Sequence, residues 1–169
     1  MINRPQPDEY SAFAARYVDL VGNGPIIEIL EYLQQMTYNL FLRIDPDKAA
    51  YAYADGKWTV KQVVGHITDT ERVFAYRALV FSREAIALPG FDQDVYMEKA
   101  TFNSRSLEDL ANEFNTVRES TLYLFKSFTE EQTLQKGIAS GNPVSVRALA
   151  YMIAGHEMHH IKILKERYL

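Results

Sequence analysis

The stretch Val144-Ser145-Val146-Arg147-Ala148-Leu149-Ala150-Tyr151-Met152-Ile153-Ala154-Gly155-His156-Glu157-Met158-His159-His160-Ile161-Lys162-Ile163 decides the fold. Leu149, Ile153, His156, His160 and Ile163 follow one another in steps of four, three, four and three. That is the spacing of a seam buried between packed helices. Two imidazoles therefore stand where aliphatic side chains belong, one turn apart on one face. Burying such a ring without a partner costs about 1–3 kcal/mol. Either a metal ion or hydrogen bonds to carboxylates or carbonyls must satisfy the pair. Neutral imidazole is the commonest protein ligand for metals, and two at i and i+4 converge on one ion. His159 lies about 100° around the helix from His160 and is not expected to join them.

Working outward from this helix, which the pattern carries from about 144 nearly to 169, helical periodicity dominates. A capping box, Thr59 with Gln62, opens a long helix over about 59–82. Trp58 and Val63 flank the cap as a hydrophobic staple, and Val60, Val63, Val64, Ile67, Phe74 and Phe81 form the apolar face. Residues 25–44 carry Ile26, Ile29, Leu30, Leu33, Leu40 and Phe41 at core spacing. Ser106 with Asp109 starts another helix to about 128, with Leu107, Leu110, Phe114, Val117, Leu122 and Phe125 inward. Thr129 with Gln132 caps a brief helical turn. A short helix is expected over 8–21, after a loose lead-in at 1–7. Residues 87–105 read as irregular with at most one short helix, 137–143 as a loop, and no β-hairpin is expected. The expected fold is all-α: a single domain over 1–169, an up-and-down four-helix bundle with a long connection after its second long helix.

Composition narrows the function. The 169 residues carry 18 basic and 22 acidic side chains, a net charge of −4, which speaks against a nucleic-acid binder. There is no cysteine, so thiolate ligands, disulfides and a cysteine nucleophile are excluded. No signal-peptide pattern and no run of about 20 apolar residues is present, which predicts a cytoplasmic protein without a membrane span.

His156-Glu157-Met158-His159-His160 also matches HExxH, the zinc-protease pattern. The extended form of that pattern needs Gly and then His where this chain has Ile163 and Glu166. The short motif arises easily by chance, and no edge strand is evident to bind an extended peptide.

Three segments resemble one family. The first is Gly56-Lys57-Trp58-Thr59-Val60-Lys61-Gln62-Val63-Val64-Gly65-His66 with Asp69-Thr70-Glu71-Arg72. The second is Leu88-Pro89-Gly90-Phe91-Asp92-Gln93-Asp94. The third is Val144 to Leu149 with Gly155 to His160. In this order they are similar to the DinB/YfiT-like superfamily. The resemblance implies a four-helix bundle holding one divalent metal ion, zinc or nickel, on His66, His156 and His160. It implies activity on a small molecule: joining a low-molecular-weight thiol to an electrophile, or hydrolysis of a small amide or ester. A metal-binding stress-response bundle without turnover is the third possibility. Many members form homodimers.

Three neutral ligands leave an ion its full charge and an open position, suited to activating water or a thiol. The lack of cysteine fits a thiol brought by a cosubstrate. Asp69, Glu71 and Glu157 are candidates for acid, base or imidazole-orienting roles, or else for a solvated face and interhelical pairs. Arg72, Arg77 and Arg147 either bind an anionic cosubstrate or bridge helices. Asp92 and Asp94 either cap the following turn or, with Tyr96, face substrate.

Overall fold

The computed structural model describes residues 2–169. Four long helices form its body: α2 (Ile26–Arg43), α3 (Val60–Phe81), α5 (Leu107–Ser127) and α7 (Val146–Arg167). Three short ones, α1 (Ala12–Val18), α4 (Gln93–Lys99) and α6 (Glu130–Leu134), lie between them. The starts follow from capping chemistry. Thr59 and Gln62 form the reciprocal box, and Ser106 and Ser145 accept from the backbone N–H three residues on. Asp92 caps α4 by accepting from the N–H groups of Asp94 and Val95.

The expected four-helix bundle is present, and its chain course departs from strict alternation. Around the bundle α3 packs on α5 and α7, and α2 packs on the same two, so α2 and α3 are diagonal. Two apolar clusters mark the ends. One gathers Ile26, Leu30, Phe74, Phe81, Phe125 and Leu149; the other gathers Phe41, Val64, Leu110, Phe114 and Leu164. Each helix runs from one cluster to the other: α2 and α7 in one sense, α3 and α5 in the opposite sense. The chain thus goes up, down, down and up, and residues 82–106 carry it back along the bundle. This course sets α3 antiparallel against α7, the two helices that bear the histidines.

Three expectations are corrected. Residues 137–143 are not a loop: β2 (Lys136–Ala139) and β3 (Asn142–Ser145) form an antiparallel hairpin. Its tip, Ser140-Gly141, has φ of 53° and 78°, the left-handed pair that a two-residue hairpin turn requires. A two-residue strand, β1 (Ala87–Leu88), adds to β2 in parallel. The excursion after α3 is therefore anchored rather than irregular, with α4 and a 3-10 turn at Phe102–Ser104 following. Finally, the described part of the lead-in is not loose. Ile2 and Pro5 are buried, and Arg4 donates to the carbonyls of Val18 and Val21. Glu9, in a 3-10 turn at Pro7–Glu9, accepts from Ser145 Oγ and from the Arg147 guanidinium. Its short helix begins at Ala12 rather than residue 8 because Ser11 caps it.

Between the two apolar clusters runs a polar layer. Arg118 of α5 is fully buried and donates to both Glu71 oxygens at 2.8 Å, to Glu157 Oε2 at 2.6 Å and to the Leu30 carbonyl at 3.1 Å. One guanidinium thereby ties all four long helices at mid-height. It takes the core position of α5, while Val117, expected inward, is half-buried.

Candidate metal centre

His66 projects from α3, and His156 and His160 from α7. One ring nitrogen from each can be chosen so that the three lie within 4.8 Å of one another. His66 Nε2 and His156 Nε2 are 3.0 Å apart, and the three ring centroids stand 4.5–4.8 Å apart. Trp58 covers His66 at 4.7 Å between centroids, and Tyr17 of α1 sets its edge against His156 at 5.4 Å. The approach of α1 depends on Gly155, where a Cβ would stand 1.9 Å from the Tyr17 carbonyl oxygen. His159 stays outside the triad, packed edge to face on Tyr17.

Burial holds these rings neutral. It lowers His66 to about 4; burial and the neighbouring imidazoles lower His160 to about 3 and His156 well below its ordinary value. A neutral imidazole is the form that ligates. Two tetrahedral ligands on bonds of about 2.0–2.1 Å stand ~3.3 Å apart, close to the separation of the two Nε2 atoms. Donor chemistry, convergence and protonation state thus all fit one divalent ion.

Helix α3 turns His66, Thr70, Phe74 and Arg77 toward a cavity of about 530 Å³ that reaches His66 and His156. Tyr17 and Arg16 of α1 and the hairpin tip at Ser140 line its other sides. No Asp or Glu lines it. The three carboxylates singled out in the sequence lie elsewhere. Glu71 and Glu157 are held by Arg118, with Glu157 Oε1 left unpaired and its pKa raised by burial. Asp69 pairs with Arg72 on a partly exposed face, and its pKa is raised by burial. No carboxylate bonds a triad ring among the described residues. The polar neighbour of His66 Nδ1 is Thr70 Oγ1 at 3.5 Å. Thr70, Phe74, Tyr17 and Ser140 were missed; the first two share the helical face of His66, a signal available from its spacing.

The arginines divide. Arg72 bridges to Glu113 and Arg147 to Glu9, while Arg77 has no carboxylate partner. Asp92 caps α4, with Phe91 and Gln93 at the cavity on either side of it.

The model of the DinB superfamily matches residues 29–164. The chain belongs to that superfamily. A protein of Oceanobacillus iheyensis named "putative metal-dependent hydrolase" is 27% identical over 148 residues, covering 83% of this chain and 85% of that protein. Among solved structures, YfiT of Bacillus subtilis, described as "a probable metal-dependent hydrolase with an unusual four-helix bundle topology", superposes with a TM-score of 0.72 at 17% identity. That match covers 97% of this chain and 90% of YfiT. The DinB-like protein YjoA of the same organism gives a TM-score of 0.59 at 25% identity, covering 83% and 86%. Among the described residues no helix is long and apolar enough to cross a membrane.

Proposed function

We propose that this DinB-superfamily protein is a metal-dependent transferase that joins a low-molecular-weight thiol to a small electrophile, with His66, His156 and His160 holding one zinc or nickel ion. The observation that carries this reading is the cavity beside His66 and His156, which contains no carboxylate. A divalent ion held by the triad supplies a Lewis acid that lowers the pKa of a thiol or water beside it. A thiol near neutral pH needs no further base once so assisted. In the transfer the sulfur–carbon bond forms, the bond from carbon to the leaving group breaks with its electron pair, and the thiol proton leaves with that group. Phe74, Phe91 and Tyr17 give the space apolar walls.

Hydrolysis of a small amide or ester is the second reading, favoured by the names of the relatives. An amine leaving group would need an acid, and the cavity holds no carboxylic acid for it. An activated ester would not.

Elemental analysis of wild type beside His156→Ala comes first, with one zinc or nickel per chain expected only in the wild type. The metal-loaded protein is then given an alkylating probe with and without N-acetylcysteine, and an activated ester without thiol. Thiol-dependent thioether formation lost in His156→Ala supports the transferase. Thiol-independent ester cleavage lost in that variant establishes the hydrolase instead. A wild type that refuses both metals removes both readings.

A further inference from the structure

Arg77 is 5% exposed and has no carboxylate within ion-pair distance among the described residues. Its Nη2 donates to the Pro89 carbonyl at 3.0 Å and approaches Ser140 Oγ at 3.4 Å. Nε and Nη1 make no hydrogen bond, yet they are not sealed off: the sole buried unpaired side-chain N or O atom among the described residues is Glu157 Oε1. Arg77 itself lines the cavity. Arg118 shows what this protein does with a guanidinium it buries for structure: it supplies two carboxylates. The Arg77 guanidinium carbon stands 5.9 Å from the ring centroids of both Phe74 and Phe91, which favour a cation there without neutralising it. Burial lowers the pKa of Arg77, as expected of a cation short of counter-charge.

The rest of the cavity has the same sign. Arg16, exposed at the rim, stacks its guanidinium on Phe13 at 3.7 Å and donates to Tyr17 Oη at 2.9 Å, again without a carboxylate. No acidic residue lines the space between the two arginines. A pocket with cationic walls, apolar surface from Phe74 and Phe91, and unused N–H donors is complementary to a small organic anion.

We infer that the cavity takes a substrate bearing a carboxylate, and that the N–H groups of Arg77 left without a partner bind this carboxylate in the space that His66 and His156 also line. The inference rests on reading the cavity as the substrate site but needs neither the metal nor the reaction type.

The test uses the full-length, metal-free protein, dialysed free of chelator, at constant chloride concentration. Succinate and its neutral counterpart succinamide are titrated by calorimetry. Succinate is expected to bind and succinamide to bind at least roughly tenfold more weakly, the size of one charge-assisted contact. Arg77→Gln should lose about the same factor for succinate, Arg77→Lys should keep part of it, and Arg72→Gln, a change in an arginine already paired on the surface, should behave as wild type. Thermal unfolding supplies the second readout. Arg77→Gln should melt at or above the wild-type temperature, since it removes a buried charge that lacks a partner. Succinate binding unchanged in Arg77→Gln, equal binding of succinamide, no succinate binding by wild type, or a marked fall in the melting temperature of Arg77→Gln would each overturn the inference. Because no metal is present, failure here leaves the metal reading standing, and a wild type that refuses zinc and nickel leaves this one standing.

Discussion

His156 and Glu157 are neighbours on α7, yet they belong to opposite kinds of buried polar centre. Glu157 joins Arg118 and Glu71 in a charged group, two carboxylates on one guanidinium from three helices, with the Leu30 carbonyl from the fourth. His156 joins His66 and His160 in a group of neutral rings, each with one N–H and one acceptor nitrogen, that meet one another and a threonine hydroxyl at the edge of hydrogen-bond range but no charged group. Both interrupt the same apolar core at the same height. The charged centre is a structural tie that leaves one oxygen, Glu157 Oε1, without a partner. The neutral one, with rings at the edge of a cavity and donor nitrogens that converge, has the make-up of a metal site.

The largest effect that would break this contrast is expected at Arg118. Arg118→Ala leaves two buried carboxylates without their cation and should cost about 3–5 kcal/mol of stability, read from urea unfolding at neutral pH. An unchanged midpoint would mean the tie is not structural.

The pH dependence sharpens the contrast next. His66 and His160 have folded pKa values of about 4 and about 3, below the unfolded value near 6.5. Above 6.5 both states are neutral and the rings contribute no dependence. As pH falls below 6.5 the unfolded chain takes up protons that the folded chain refuses, so the metal-free protein loses stability down to about pH 4 through His66 and on to about pH 3 through His160. His66 alone accounts for on the order of 3 kcal/mol of this loss. Unfolding of His66→Ala should show a flatter slope in that window; the same slope would place the histidines outside the account. Glu9 adds a lower window. Burial pushes it up, but Arg147 and Ser145 outweigh that and hold it at about 2, so its stabilisation is present above about 4.5 and fades toward 2.

His156→Ala should change the stability of the metal-free protein by about 1 kcal/mol or less, while abolishing retention of zinc or nickel. A large loss of stability without any change in metal content would turn the triad into a second structural tie. The smallest effect is expected for Asp69→Asn. It breaks a partly exposed pair with Arg72, should shift stability by no more than about 0.5 kcal/mol, and should leave turnover of the metal-loaded protein within about twofold. A turnover loss of a hundredfold would restore Asp69 as a catalytic candidate.

These two centres were unequally legible in the sequence. The triad shows because histidine is rare in this chain and helical spacing sets its members on one seam. Arg118 does not show: a lone arginine within an amphipathic pattern reads as surface, and its partners lie on other helices, 47 and 39 residues away. Helices with side-chain caps, such as α3 and α7, begin where their caps place them. The hairpin escaped because its strands are four residues long, Pro143 sits in one of them, and the turn uses Ser140 where glycine or asparagine would be the usual sign. The lead-in escaped because what holds it is distant: Arg4 on α1's closing carbonyls, Glu9 on the start of α7. Chain direction, with α2 and α3 diagonal, depends on a crossover that no local pattern records.

Gly155 fixes how such a site can diverge. Since a side chain there would collide with the Tyr17 backbone, α1 is seated directly on α7, and Tyr17 cannot be moved from His156 by small changes in packing. That wall of the cavity is closed to gradual adjustment. On the opposite wall Phe91, Gln93, Ser140 and Asn142 come from a loop, the start of α4 and a hairpin tip, and the close approaches there, Gly137 on the Phe81 ring and Gly90 on Ser140 Oγ, are to side chains rather than backbone. Side chains on the hairpin side can therefore reshape the cavity while the histidines and the helix seated over them stay in place.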